Sequence, residues 1–154
     1  MQHNSDIIIS DTSCLILLDK IEMLDLLKLL SSQVYITSTI KAEFGKDLPD
    51  WISVKNPKDT HYQQILEVDL DKGEASAIAL SLDLDSAILI IDDLKGRKMA
   101  QRLGLRFSGT LGLIIKARQT GKIDSVRPII DKIKQTNFRF SESLLGEVIQ
   151  ICKD

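Results

Sequence analysis

"AILIIDDLKGRK", residues 87–98, runs five apolar side chains into two adjacent carboxylates and then into Lys95, Arg97 and Lys98. The run is short, rich in β-branched residues and apolar on both faces, which is the pattern of a strand buried in a parallel sheet. Such a strand has helices on either side of it. Two neighbouring acids at its tip repel each other unless water, nearby cations or a bound ion offsets them.

Working outward, the same alternation recurs. "DIIIS" (6–10), "VYIT" (34–37), "WISVK" (51–55) and "LRFS" (105–108) read as further short strands. Helical spacing covers 21–30. Ser38 or Thr39 caps a helix running to about Lys46. Further helices are expected over 60–68, 71–84 with Asp71 as N-cap, 95–103 closed by Gly104, 109–121 ending at Gly121, and roughly 125–136 and 141–152. Strands alternating with helices predict a three-layer α/β/α sandwich around a parallel sheet of four to five strands. At 154 residues the chain is expected to be a single domain, with C-terminal helices from about 125.

Composition narrows the class. Apolar residues make up 44%, as in an ordinary globule. The longest apolar run is too short to span a bilayer, and the N-terminus lacks a secretion signal, so a cytoplasmic location without membrane contact is expected. Cys14 and Cys152 match no metal or redox spacing and read as reduced, buried thiols. The net charge of −2 hides a division, because Leu94–Ile123 carries eight basic residues and no acid. A polyanion-handling protein could use a block of this kind, but taken alone it reads first as a set of solvated helix faces.

In open α/β sheets, ligands bind beyond the carboxyl ends of the strands. Two strands deliver acids there: Asp11 after the first, Asp92 and Asp93 after the fourth. Asp11 can equally cap a helix. Asp92 is the better placed of its pair to face a site, leaving Asp93 to cap or to support. Glu74 fits a capping box with Asp71, yet opens an apolar helix that can point at the same edge. Glu43 borders Ile40 and Phe44, and also reads as a surface acid. An oxygen-only set suits a hard ion, Mg²⁺ or Mn²⁺. His3 and His61 have no partner at ligand spacing, which argues against zinc.

The order "DTS" (11–13), Glu43, "GEA" (73–75), "DD" (92–93) resembles the PIN domain, especially VapC-like toxins of toxin–antitoxin pairs. The match is best to a subgroup with a D-D/E-x-x-G-R motif followed by G-T-x-G, here "DDLKGRKMA" (92–100) and "GTLGLIIKARQTG" (109–121). The resemblance implies a metal-dependent ribonuclease whose acids are Asp11, Glu43, Glu74 and Asp92, holding Mg²⁺ or Mn²⁺. Asp93 stands where the family often has another acid or Asn. This chain departs from the commoner toxins in having Glu74 where Asp is usual, and "DDLKGRK" where "D-x-D-F" is commoner. Thr12, Ser13 and Thr110 can hydrogen-bond ligands or phosphate. Lys95, Arg97, Lys98 and Arg102 are expected to grip RNA phosphates. The resemblance also implies a homodimer and a small antitoxin partner. Two rivals remain at this point: a non-catalytic PIN-like module binding RNA or protein, and a receiver-like phosphoacceptor.

Overall fold

A computed structural model describes residues 6–154; His3 and the first half of the N-terminal stretch that bears on a secretion signal lie outside them. Five strands, β1 (Ile7–Ser10), β2 (Gln33–Ile36), β3 (Ile52–Val54), β4 (Ala87–Ile90) and β5 (Phe107–Ser108), form one sheet in the order β3-β2-β1-β4-β5. Every pairing is parallel, with Ile8 opposite Val34 on one side and Ile88 on the other. Ile8, Ile9, Val34, Ile36, Leu89 and Ile90 are buried. That explains why β1 and β4 read as unbroken apolar runs, whereas β2 alternates buried Val34 and Ile36 with half-buried Gln33 and Tyr35. The sheet is flanked by helices in an α/β/α sandwich, as the alternation predicts.

The helices are α1 (Thr12–Lys20), α2 (Asp25–Leu29), α3 (Ser38–Phe44), α4 (Thr60–Leu66), α5 (Lys72–Leu82), α6 (Leu94–Arg102), α7 (Thr110–Gln119), α8 (Arg127–Lys134) and α9 (Glu142–Ile151). Three expectations need correction. Residues 21–30 do not form one helix, because Glu22 adopts φ 60°, turning the chain after α1 and leaving only the short α2. Helix α1 is not among the expected helices beyond the N-cap reading of Asp11: Cys14, Leu15, Leu17 and Leu18 form one buried face at helical spacing, but Ile16 makes 14–18 an unbroken apolar run that conceals it. The cap of α3 is Thr37, whose hydroxyl oxygen accepts from the Ile40 amide at 3.2 Å, and the helix stops at Phe44 because Gly45 takes φ 71°.

Helix α5 is buried from Gly73 to Ser81. Its Ala and Ser side chains let it pack closely on β1 and β4 and against α3, α4 and α6. Ser76 and Ser81 satisfy their hydroxyls on the carbonyls of Gly73 and Ala77, so the polar groups do not count against burial. The sheet order reverses between β1 and β4, the position where open α/β sheets form a crevice at their carboxyl edge.

Candidate active site

Chain geometry brings Asp11 and Asp92 to that crevice. The Asp11 amide donates to the carbonyl of Ile90, the last residue of β4, at 3.0 Å, so the exits of β1 and β4 are tied together two residues before Asp92. Asp11 occupies the N-cap position of α1, yet its side chain makes no capping bond to the helix. It is 4% exposed. Burial lifts its carboxyl to about 7, the negative charges of Asp71, Glu43 and Asp92 push the same way, and the Thr12 amide offsets part of this.

The adjacent acids at 92 and 93 take different tasks. Asp92 accepts from the Thr110 amide at 2.8 Å and from the Thr110 hydroxyl at 2.6 Å, so the buried Thr110 orients both of its oxygens. Gly109 makes this possible, since a Cβ there would stand 2.7 Å from Asp92 Oδ1. Asp93 turns to the start of α6 and accepts from the Gly96 amide at 3.2 Å.

Glu74 is 7% exposed. The capping box expected from its spacing is present, with Asp71 Oδ1 accepting from the Glu74 amide at 2.8 Å. Burial nevertheless raises the Glu74 carboxyl to about 8, followed by the charges of Asp71, Asp93 and Asp11, and the return contact from the Asp71 amide offsets only part of it. Its Oε2 lies beside α6, 3.7 Å from where a Cβ on Gly96 would be.

Glu43 is more exposed. The Thr12 hydroxyl donates to its Oε1 at 2.5 Å. Its carboxylate lies across the start of α5, where any side chain on Gly73 would collide with it. Ser13 is exposed on the first turn of α1 and lines a groove shared with Asp92 and Asp93.

One acid was not singled out. Asp71 is the foremost charged neighbour acting on both Asp11 and Glu74. N-capping explains it so well from sequence alone that nothing local marks it as part of a cluster.

The basic block divides in two. Arg106 and Lys116 pair with Asp6 at 3.3 and 3.8 Å, and Arg118 pairs with Asp154 at 3.3 Å. Lys95, Arg97, Lys98 and Arg102 are exposed on α6. Lys95, Lys98 and Arg102 share a face at three- and four-residue spacing. Arg97 instead stacks on Phe107, 5.5 Å from the ring centre, and lines the groove beside Asp92.

Among the described residues, none of Asp11, Glu43, Asp71, Glu74, Asp92 and Asp93 belongs to an ion pair. Nor does any trio of His, Cys, Asp and Glu among them stand close enough to form a ready cation cage. The carboxylates thus converge electrostatically on one edge without closing on a point. Buried, unneutralised oxygen donors of this kind suit a hard divalent cation, which would favour their ionised forms.

A family profile described as PIN domain matches residues 7–154. The chain belongs to the PIN domain family. No curated protein matches it. PIN domains generally include metal-dependent nucleases, and they commonly use divalent metal ions. In this PIN domain the match spans the sheet, every acid of the crevice and the C-terminal helices α8 and α9.

Proposed function

We propose that this PIN domain is an endoribonuclease that hydrolyses RNA phosphodiesters with Mg²⁺ or Mn²⁺. The observation that supports it most is the burial of two acids, Asp11 and Glu74, in one acidic crevice, with no cationic side chain paired to them among the described residues. Burying like charges costs stability unless a ligand repays it, and strongly perturbed acids in a cleft mark functional sites.

Asp11 and Asp92 would hold the ion, with Glu43 and Glu74 completing its surroundings. When bound, a divalent cation neutralises charge on a scissile phosphate and makes water more acidic. The chain's own side chains do the rest. Thr110 fixes the two oxygens of Asp92, Thr12 fixes Glu43, and Asp93 holds the start of α6 so that its basic face is presented next to the crevice. Lys95, Lys98 and Arg102 then contact flanking phosphates, and Arg97 does so from the groove. These contacts set affinity without reading sequence.

The finer assignment is a VapC-like toxin, held as a homodimer and silenced by a small antitoxin, acting in the cytoplasm. It is supported by the likeness of "DDLKGRKMA" and "GTLGLIIKARQTG" to one toxin subgroup. Among the described residues no helix is long and apolar enough to cross a membrane.

The test is incubation of RNA with the protein, with and without Mn²⁺, beside Asp11→Asn. Cleavage that needs the metal and disappears in the variant is the expected result; cleavage unchanged in Asp11→Asn would overturn the assignment. The open spacing of the acids favours one second reading, a non-catalytic module that binds RNA or protein. Such a module would show no rise in melting temperature with divalent ions, whereas an ion-binding site must show one. The receiver-like alternative finds no support in the family match.

A further inference from the structure

Beside the crevice runs a groove of about 630 Å³ between α7 and the chain's last segment, which includes α9. This volume lies within the range of roughly 300–1,000 Å³ typical of small-ligand sites. One part is polar, with Asp92, Asp93 and Arg97. Elsewhere Phe138 and Phe140, in the irregular link between α8 and α9, face Ile115 and Val148.

The chain has four phenylalanines. Phe44 is in the core, whereas Phe107 carries Arg97, and Phe138 and Phe140 line the groove only partly buried. Between those last two rings stands Arg139, whose Nη1 donates to the Thr136 carbonyl at 2.9 Å, anchoring the guanidinium at the groove. Glu147 also lines it, with no ion pair or hydrogen bond among the described residues.

We propose that this groove is a nucleobase subsite, in which an unpaired base of the RNA stacks at Phe140 while Arg97 and Arg139 hold its flanking phosphates. Flat aromatic faces alternating with guanidinium groups are what a single strand requires, because every base has a stacking face and every linkage a negative charge. Glu147 is placed to accept from a base amino group. A purely apolar peptide would have to bury these charged side chains without partners. The groove is continuous with Asp92, so a base seated there would lie next to the bond presented to the crevice. Phe138 already has the Lys20 ammonium over its ring at 5.6 Å, which leaves Phe140 as the cleaner reporter. The proposal rests on the nuclease reading only for the identity of the ligand.

The experiment measures binding of a fluorescent single-stranded RNA to the full chain in EDTA at low salt, where nothing is cleaved. Wild type is compared with Phe140→Leu, which keeps apolar volume, and Phe140→Tyr, which keeps the ring. Phe140→Leu should weaken binding about tenfold, as loss of one stacked base does, and Phe140→Tyr should bind like wild type. An RNA carrying 5-iodouridine should photocross-link within residues 138–140. Equal affinity of wild type and Phe140→Leu, or cross-links only elsewhere, would overturn the subsite and leave the groove as a seat for a protein segment. Since binding is read without cleavage, loss of binding in Phe140→Leu supports the subsite even if no RNA is cut. Conversely, cleavage with unaltered binding removes the subsite and spares the nuclease.

Discussion

Asp11→Asn should stabilise the metal-free protein at alkaline pH, by an amount that shrinks as the pH falls and vanishes below about 3.8. The Asp11 carboxyl is raised from 3.8 to about 7 in the folded chain, chiefly because it is buried. Between those two values the native state keeps a proton that the unfolded chain has released, so stability falls as pH rises through the window. At about 1.36 kcal/mol per pH unit, the shift corresponds to roughly 4 kcal/mol as an upper bound. The acids share this strain, and removing one charge should recover about half, ~2 kcal/mol. For a chain of this length about 1 kcal/mol moves the melting temperature by roughly 2–4 °C, so Asp11→Asn should melt ~4–8 °C above wild type near pH 8 in EDTA. Only below about pH 3.8, where both folded and unfolded Asp11 are protonated, should the two melt together. Excess Mn²⁺ should reverse the order at pH 8, because only wild type gains a full ligand set. Thermal melts followed by circular dichroism decide the matter. A variant that melts below wild type at pH 8 without metal would show that the Asp11 charge supports the fold and is not held there against electrostatic cost.

Other substitutions probe other parts of the crevice. Gly109→Ala should displace the Asp92 carboxylate, whose Oδ1 would lie 2.7 Å from the new Cβ; cleavage should fall by about tenfold or more with little change in melting temperature, read by kcat against thermal melts. Thr110→Val removes the hydroxyl that Asp92 Oδ2 accepts from and should cost about 1–2 kcal/mol in denaturant titration. Replacing Lys95 and Lys98 together by Gln should lower the slope of log affinity against log salt by about two, roughly one per lost phosphate contact, and should do so equally for unrelated RNA sequences.

What the sequence discloses follows from how local each signal is. Strands β1 and β4 are legible because burial on both faces demands continuous apolar runs, and β2 because Val34 and Ile36 alternate with the half-buried Gln33 and Tyr35. The Asp71 cap, the end of α6 at Gly104 and the end of α7 near Gly121 are legible because capping chemistry is local; both glycines have positive φ. Helix α1 is hidden because Ile16 fills the gap in its apolar face and leaves 14–18 an unbroken apolar run, and the break before α2 by a single positive φ at Glu22 that no glycine announces. The acids after β1 and β4 can be read as a pair once the sheet is known to be parallel. The contribution of Asp71 cannot, because its charge acts on Asp11 only through the packing of α5 against the crevice. Phe138 and Phe140 fall in a segment with no helix or strand period, so nothing ties them to Asp92 until α9 has folded back on α7.

The central claim is that Asp11 and Asp92 share one hard cation. Anomalous diffraction from crystals soaked in Mn²⁺ tests it directly. A single strong manganese peak within bonding distance of both carboxylates is the predicted result, with the peak gone in Asp11→Asn. Manganese bound only elsewhere, or a peak that persists unchanged in the variant, would contradict it.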